Sequence, residues 1–238
     1  MYQKEHDNPN FAKGICQDRV DGYMMVKTSP LEMILYNKDG SVASMCGNGI
    51  RCLIQYCYEH GIIKDFQNQV LTGCGLIETK IINIFPFMVY VRMNNPLFTY
   101  IDNRVYLDEP LRLESKFHSP TYHISLVDVG VWHGIIIPDD FEKAQEDAKA
   151  ICDLPLFKNN LNVDIVKITN DIYVKTYERG VGSTQACGTG VMATFIILKK
   201  LNRIKENKIQ IHTDGGMIEA GMDEKGYYIV GPSRYEII

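Results

Sequence analysis

Short strand-like runs separated by turn signals dominate the first part of the chain. Between residues 20 and 45 the runs VDGYMMV, LEMILYN and KDGSVASM alternate with Gly, Pro and Asp-Gly signals, a pattern typical of a β-meander. The period then changes. The apolar residues of IRCLIQYCYEHGI recur every three or four positions, which predicts a helix that begins just after Cys46 and ends near Gly61.

The second half of the chain repeats this order of elements. The runs HISLVDVGVWHGIII, DIVKI and DIYVKTYE predict strands, FEKAQEDAKAICDL predicts an amphipathic helix, and VMATFIILKKLNRI predicts a helix directly after CGTG. Both halves therefore contain a strand, a Cys-Gly-x-Gly segment and a helix, and Cys46-Gly47-Asn48-Gly49 matches Cys187-Gly188-Thr189-Gly190. A long polar stretch between the halves predicts a domain boundary near residue 115.

Composition indicates an ordinary globular protein and excludes several classes of partner. Of the 238 residues, 45% are hydrophobic and 23% charged, which is enough apolar material for a core. The net charge of -4 and the absence of a Lys/Arg cluster argue against nucleic acid and anionic membrane as partners. No secretory signal or membrane-length apolar segment is visible, so we expect a cytoplasmic protein.

The cysteines support a reducing compartment. The chain contains seven cysteines without short CxxC pairs, which favours the cytosol over a disulfide framework and shows no zinc-type spacing. Three of them, Cys52, Cys57 and Cys152, are expected to be small buried hydrophobes. Cys46 and Cys187 differ, because each precedes the glycines at a predicted helix start.

The position of these two cysteines indicates acid–base chemistry on a carboxylate ligand. A helix N-terminus offers unpaired N–H groups and a partial positive charge, which should lower the pKa of a cysteine there and also hold a carboxylate. The lysine of a phosphate-binding loop is missing. If both helix ends converge on one α-carboxylate, one thiolate can remove the Cα proton while the opposite thiol donates one. Such a reaction inverts the centre and requires no metal or other cofactor.

The two segments LYNKDGSVASMCGNGIRC and YERGVGSTQACGTG resemble the two signatures of the diaminopimelate epimerase family. The resemblance extends from about Asp21-Gly22 to HTDGGMIEAG and VGPS. It implies a mixed α/β (α+β) fold of two pseudo-symmetric domains, each with a curved sheet around a central helix. The first domain would span residues 1–115, completed by the C-terminal strand 231–238, and the second would span residues 116–230.

The resemblance also implies a set of site residues. Cys46 and Cys187 would be the catalytic pair of an amino-acid racemase or epimerase that can produce a D-amino acid. The α-carboxylate would be bound by backbone N–H groups of Gly47, Asn48, Gly188 and Thr189. The remainder of an amino-acid substrate would be held by Asn37, Asn162, Glu178 and Arg179.

This sequence departs from the family pattern at two places. The family's Gly-Asn-Pro-His motif reads Gly130-Val131-Trp132-His133 here, so an amide that contacts the distal group of the substrate is lost and Trp132 could supply an aromatic face instead. The family's opening strand and Gly-Asn-Asp-Phe motif are not visible, and the chain is expected to begin late or to have a rebuilt loop. Both departures weaken the case for diaminopimelate and leave histidine open as a substrate.

Other interpretations remain open from the sequence. A non-catalytic amino-acid-binding module could keep the same fold, and a Cys46–Cys187 disulfide could serve as a redox sensor. Asn37 and Asn162 could be turn residues, and Glu178-Arg179 an exposed charge pair. His133 could be a structural histidine that orients a neighbour. A homodimer is also left open.

Overall fold

The structure, a computed structural model, describes residues 8–16, 20, 22–98, 100–101, 104–105, 107–113, 120–158 and 161–234. The chain divides into two compact units. Unit 1 comprises Met1–Arg92 and Val230–Ile238, and unit 2 comprises Met93–Ile229. The boundary expected near residue 115 and the last residues of the expected closing strand, 235–238, lie outside the described residues, and the division expected from the sequence stays a prediction.

Unit 1 combines two helices with a largely antiparallel sheet. Its elements are α1 (Pro9–Cys16), β1 (Gly22–Thr28), β2 (Leu31–Asn37), β3 (Val42–Ala43), α2 (Gly47–Glu59), β4 (Gln67–Thr72), β5 (Gly75–Ile84) and β6 (Phe87–Arg92). The strand order is β1-β2-β4-β5-β6, followed by the part of the last strand that belongs to this unit. The expected strands and the helix after Cys46 are therefore present.

Unit 2 contains the remaining elements. They are β7 (Tyr100–Ile101), β8 (Arg104–Val105), β9 (Glu109–Arg112), β10 (Thr121–Asp128), β11 (Trp132–Ile136), α3 (Phe141–Cys152), a 3-10 turn (Pro155–Phe157), β12 (Asn162–Ile168), β13 (Ile172–Glu178), β14 (Gly182–Thr184), α4 (Gly188–Lys200), β15 (Lys208–Thr213), β16 (Gly216–Asp223) and β17 (Gly226–Pro232). The strand order is β17-β16-β15-β13-β12-β11-β10-β9, and β17 ends in unit 1.

Strand pairing confirms the internal repeat that the sequence predicts. In unit 1, β2 pairs antiparallel with β1 and β3 and parallel with β4, and β4 pairs antiparallel with β5. In unit 2, β13 pairs antiparallel with β12 and β14 and parallel with β15, and β15 pairs antiparallel with β16. Because α2 follows β3 and α4 follows β14, each Cys-Gly-x-Gly segment occupies the same place in its unit.

The two repeated helices differ in how they are buried. Every residue of α4 from Gly188 to Leu198 is buried, and the helix packs on β10, β11, β12, β13 and β16, which explains why its sequence is apolar on all faces. By contrast, α2 buries one face, against β2 and β6. A helix surrounded by its own sheet is the arrangement expected for the mixed α/β class.

A short helix at the start of the described chain was not predicted. The Asn8 side chain accepts a hydrogen bond of 2.7 Å from the Phe11 backbone N–H, and Pro9 occupies the first helical position, where its missing N–H costs nothing. The helix packs on β1 and β2 through Phe11 and Tyr23, whose ring centroids lie 5.5 Å apart. Across the described ranges, no helix combines the length and apolar character needed to cross a membrane.

Candidate active site

Cys46 is the N-cap residue of α2. Its backbone is extended (φ -148°, ψ 107°), and its Sγ accepts a hydrogen bond of 3.3 Å from the Gly49 N–H. The sulfur therefore occupies the position at which a serine or aspartate side chain usually caps a helix. It is half-buried, so the sulfur lies at the first turn of α2, beside backbone N–H groups that have no acceptor within the helix.

The residues around Cys46 are held by hydrogen bonds within unit 1. The Arg51 side chain, 5% exposed, donates to the Asn48 side-chain oxygen at 2.8 Å and to the Pro232 carbonyl at 2.9 Å. Asn37 donates from its side chain to the Ser41 hydroxyl at 3.0 Å, as expected for the turn that joins β2 to β3. Asn48 is therefore anchored by a buried cation, a contact that sequence reasoning missed.

Cys187 is the corresponding N-cap residue of α4. Its backbone is extended (φ -121°, ψ 112°), and its Sγ accepts a hydrogen bond of 3.4 Å from the Gly190 N–H and lies 3.2 Å from the Thr189 hydroxyl. Unlike Cys46, this sulfur is buried. The repeated motif thus gives the same cap geometry in two different surroundings.

The lowered pKa expected from the helix N-terminus is wrong for Cys187. Burial raises its pKa well above the ordinary thiol value, and the negative charges of Glu178 and Asp164 raise it further. Hydrogen bonds from Thr189 and Gly190 act in the opposite direction but are weaker. Desolvation disfavours the thiolate more than the partial charge of the helix end favours it, so this cysteine is held as a thiol at neutral pH.

A buried polar network lies beside Cys187. His133 and Asp164 are both fully buried, and His133 Nδ1 lies 2.5 Å from Asp164 Oδ2. The other ring nitrogen, Nε2, lies 3.0 Å from the Thr189 hydroxyl, and the Thr176 hydroxyl donates to Asp164 Oδ1 at 2.6 Å. His133 is therefore a hydrogen-bonded core histidine, as one interpretation of the sequence allowed, and it connects to Cys187 through Thr189.

Asp164 and Thr176 were missed by sequence reasoning. The only signal was an aspartate within the apolar run NVDIV, where a buried strand would otherwise be apolar throughout. Its partner His133 stands 31 positions earlier in the chain. Only the parallel pairing of β11 with β12 brings these side chains to the same layer.

Glu178 and Arg179 lie in different surroundings. Glu178 accepts a hydrogen bond of 2.7 Å from the Thr184 hydroxyl, and burial raises the pKa of its carboxyl group while the hydrogen bonds from Thr184 and Cys187 lower it. The Arg179 side chain is exposed. Its backbone N–H donates to the Asn162 side-chain oxygen at 2.9 Å, so Asn162 is held in position by the turn after β13.

The first three residues of the altered four-residue motif divide between a turn and the core. Gly130 has a φ of 98°, in the left-handed region that favours glycine, and its N–H donates to the Asp128 side chain at 2.8 Å. Val131 is half-buried in this turn. Trp132 is also half-buried and packs against the core cluster of unit 2. Part of its ring surface therefore contacts the core.

Of the cysteines expected to be inert, Cys57 and Cys152 are buried, whereas Cys52 is half-buried with its Sγ 3.7 Å from the Arg234 carbonyl. Burial raises the pKa of Cys57 from 9.0 to about 11. Within the part of the chain that the structure describes, no three His, Cys, Asp or Glu side chains are grouped to hold a metal ion.

Comparison with known proteins gives a consistent result. The sequence profile of the diaminopimelate epimerase family matches residues 4–98 and 125–235. A diaminopimelate epimerase of Caldanaerobacter subterraneus is 35% identical over 213 residues, which cover 83% of this chain and 76% of the relative. A diaminopimelate epimerase of Methanococcus aeolicus is 33% identical over 258 residues, with 96% of this chain and 87% of the relative covered.

Solved structures agree at the level of the fold. A phenazine biosynthesis protein of the PhzF family from Bacillus anthracis has a TM-score of 0.69 at 13% identity, covering 100% of this chain and 90% of that one. A hydroxyproline epimerase from Agrobacterium vitis has a TM-score of 0.68 at 14% identity, covering 89% and 71% respectively. These similarities confirm the predicted fold class of two halves, each with a curved sheet and a central helix.

Proposed function

This chain belongs to the diaminopimelate epimerase family and is therefore an isomerase, and from this premise we propose that it inverts the Cα centre of an amino acid with Cys46 and Cys187 as the two acid–base groups. The observation that carries the proposal is the repeated cap geometry. In each unit, a cysteine sulfur accepts the N–H of the residue three positions later, at the start of the helix that follows the same strand arrangement.

In the proposed reaction one sulfur removes a proton and the other supplies one. A thiolate takes the Cα proton and becomes a thiol, and the electron pair left on Cα is delocalised into the α-carboxylate. The second cysteine, which begins as a thiol, delivers its proton to the opposite face of Cα and becomes a thiolate. The centre is inverted and charge is balanced. The protonation state that results is the one that removes the Cα proton of the product stereoisomer, so the reverse reaction runs with the two roles exchanged.

The carboxylate is assigned to the backbone N–H groups at the two helix starts. Gly47 and Asn48 would supply them in unit 1, and Gly188 and Thr189 in unit 2, because the first N–H groups of a helix have no intrahelical acceptor. These groups favour the extra negative charge that develops on the carboxylate as the Cα proton leaves. Asn37, Asn162, Glu178 and Arg179 are proposed to hold the substrate's amino group and side chain.

Diaminopimelate is the first candidate substrate, because the relatives compared above are named for it. The second candidate is an amino acid without a distal amino-acid group, such as histidine. Val131 favours the second candidate, since a valine side chain cannot hydrogen-bond a second amino-acid group as an asparagine can. Trp132 is compatible with a ring pocket, although it also packs against the core of unit 2.

The test measures the rate at which deuterium replaces the Cα proton of each substrate. The reaction is run in D₂O under reductant and monitored by NMR, and the products are then analysed for chirality. The panel comprises LL-diaminopimelate, meso-diaminopimelate and L-histidine, and the Cys46→Ala, Cys187→Ala double variant is the control for uncatalysed exchange. Exchange with inversion of one substrate supports the proposal and identifies that substrate. If no substrate exchanges while both thiols are reduced, the proposal is wrong and the protein is better explained as a binding module.

The substrate assignment has its own test. Val131→Asn restores the amide of the family motif and should raise activity on diaminopimelate relative to histidine. An unchanged ratio would show that this position does not select the substrate.

A further inference from the structure

The internal repeat runs without insertion or deletion from β2 to the start of β5 in unit 1 and from β13 to the start of β16 in unit 2. The same number of residues separates the first residues of four pairs of elements: β2 and β13, α2 and α4, β4 and β15, and β5 and β16. That number also separates Cys46 from Cys187 and Thr72 from Thr213. Each residue of this part of unit 1 therefore has a counterpart in unit 2.

In each unit a hairpin turn is hydrogen-bonded to the segment just before the cysteine. In unit 1 the Cys74 N–H, in the turn between β4 and β5, donates to the Ser44 carbonyl at 3.1 Å. In unit 2 the Gly215 N–H, in the turn between β15 and β16, donates to the Gln185 carbonyl at 2.6 Å. Both donors are counterparts in the repeat, and each acceptor lies two residues before its cysteine. These two turn-to-loop bonds therefore occupy the same place in the two units.

The two turns also pack closely against the same segments. A Cβ added at Gly73 would lie 2.9 Å from the Ser44 Cα. A Cβ added at Gly215 would lie 3.2 Å from the Ala186 Cβ and 3.2 Å from the Gln185 carbonyl oxygen. A small residue in each turn thus lets it approach the backbone that leads into the cysteine.

A threonine hydroxyl closes each of these turns. The Thr72 hydroxyl donates to the Gly75 carbonyl at 2.9 Å, and the Thr213 hydroxyl donates to the Gly216 carbonyl at 2.7 Å. Each threonine also pairs with that glycine in the strand register, so the side-chain bond closes a two-residue hairpin loop. In unit 1 the Thr72 oxygen accepts the Cys74 N–H as well, at 3.2 Å, and this is the N–H of the turn-to-loop bond.

The segment between strand and helix decides where each sulfur lies. In unit 1, β3 ends at Ala43 and α2 begins at Gly47, so the position of Cys46 depends on the backbone torsions of a three-residue connection. A carbonyl held two residues before the cap restricts those torsions and the angle at which the chain enters the helix. Because a displacement of about 1 Å in a reacting group can slow a reaction about a hundredfold, a bond at this place bears on catalysis.

We propose that Thr72 and Thr213 are positioning residues for the reaction, each closing a hairpin turn that holds the segment before one cysteine. Thr72 acts on Cys46 and Thr213 acts on Cys187. Since the proposed function assigns one face of Cα to each sulfur, the two threonines affect opposite faces of the substrate. The inference deepens the proposed function and rests on it for its effect on catalysis.

The first test measures hydrogen exchange of the backbone amides in the full chain by mass spectrometry, without a substrate. Thr72→Val removes the hydroxyl and keeps the shape of the side chain, and valine is well suited to a strand. Exchange in residues 44–49 should become about fivefold faster, the effect of one lost hydrogen bond on local opening, while exchange in residues 185–190 stays as in the wild type. Thr213→Val should show the reverse.

Two kinds of control accompany these variants. Thr72→Ser and Thr213→Ser retain a hydroxyl and should restore the exchange rates of the wild type. Thr169→Val removes a hydroxyl from another hairpin turn of unit 2, one that donates to the Asp171 carbonyl at 3.1 Å between β12 and β13. It should leave the exchange of both segments unchanged.

The second test measures deuterium entry at Cα of the substrate in chains that retain one of the two cysteines. In Cys187→Ala the rate reports on Cys46, and in Cys46→Ala it reports on Cys187. Adding Thr72→Val should lower the ratio of the first rate to the second by about fivefold, and adding Thr213→Val should raise it by a similar factor. A general loss of stability would lower both rates together and leave their ratio unchanged.

The two tests together separate this inference from the proposed function. Amide exchange equal to that of the wild type in both valine variants overturns the inference, whatever the substrate does. Faster amide exchange with an unchanged ratio of Cα exchange rates also overturns it, because the turns would then have a structural role only. Faster amide exchange in a chain that exchanges no substrate proton overturns the proposed function alone, since the first test still shows that the turns hold the two segments.

Discussion

The Cα of Gly190 lies against the Asp164 carboxylate so closely that a Cβ at this position would be 2.3 Å from Oδ1. The same Cβ would lie 2.9 Å from the Thr176 hydroxyl. The second glycine of the Cys187 motif is therefore required for a reason beyond ligand access, because it makes room for the buried carboxylate. In unit 1 a Cβ added at the corresponding Gly49 would lie 3.0 Å from the Met24 methyl group and 3.4 Å from Cys46 Sγ.

The first prediction compares alanine at these two glycines. Gly190→Ala should lower the free energy of unfolding by about 3 kcal/mol or more. The added methyl group would displace the buried side chains of Asp164 and Thr176, which are hydrogen-bonded to each other. Gly49→Ala should cost less than about 1 kcal/mol, since the flexible Met24 side chain can shift and alanine favours the helix. Urea denaturation of both variants gives the comparison, and equal losses would contradict it.

The second prediction concerns the charge of Glu178. Glu178→Gln removes a negative charge that raises the pKa of Cys187, so the pKa of this thiol should fall. A fall of half a pKa unit would speed alkylation of Cys187 at pH 8 by about threefold. The matched control is Glu142→Gln on the exposed side of α3, which should leave the rate unchanged, and a slower reaction in Glu178→Gln would refute the assigned sign.

The third prediction is a loss of stability in alkali that depends on Cys57. Burial raises its pKa from 9.0 to about 11, so the unfolded chain ionises first as the pH rises. The stabilisation is fully present below pH 9 and is lost as the pH approaches 11. For this one group the free energy of unfolding should fall by about 1 kcal/mol between pH 8 and pH 10.

The measurement is urea denaturation of the wild type and Cys57→Ala at both pH values. Alanine lowers stability at each pH by removing buried volume, so the relevant quantity is the change between the two pH values. That change should be smaller in Cys57→Ala by about the amount given above. Parallel pH dependence in the two proteins would show that Cys57 ionises normally in the folded state.

The sequence predicted the helices and the repeated order of elements, because these depend on local patterns. It did not predict which side chains contact each other across neighbouring strands. The apolar spacing after Cys46 and Cys187 predicted α2 and α4, and the repeated Cys-Gly-x-Gly segments predicted the repeated topology. The pairing of His133 with Asp164 depends on the register of β11 against β12, which no local pattern encodes. The signal for α1 was visible in Asn8-Pro9, a cap residue followed by a residue suited to a helix start.

The electrostatics of Cys187 show the same limit. A helix N-terminus is visible in sequence and by itself predicts a lowered pKa. Burial and two neighbouring carboxylates are properties of the folded unit, and at Cys187 they outweigh the helix end. The motif by itself therefore does not determine the acidity of its cysteine, which at Cys187 is set by the surroundings in the folded unit.

The last prediction separates the roles of the two cysteines. In Cys187→Ala only the Cys46 thiolate remains to remove a Cα proton, and it can return a deuteron only to the face from which it took the proton. One stereoisomer of the substrate should therefore exchange deuterium without inversion, and the stereoisomer with the opposite configuration at that Cα should not exchange. Cys46→Ala should show the opposite preference. NMR in D₂O with each stereoisomer offered separately, followed by chiral analysis, makes the measurement.

The control is Cys152→Ala, which changes a buried thiol that donates to the Leu161 carbonyl at 3.0 Å, outside both motifs, and which should retain exchange with inversion. Inversion that persists in either single variant would mean that one group serves both faces. Exchange of both stereoisomers by one variant would mean the same. Either result would refute the two-base proposal, because that proposal assigns each face of Cα to one sulfur.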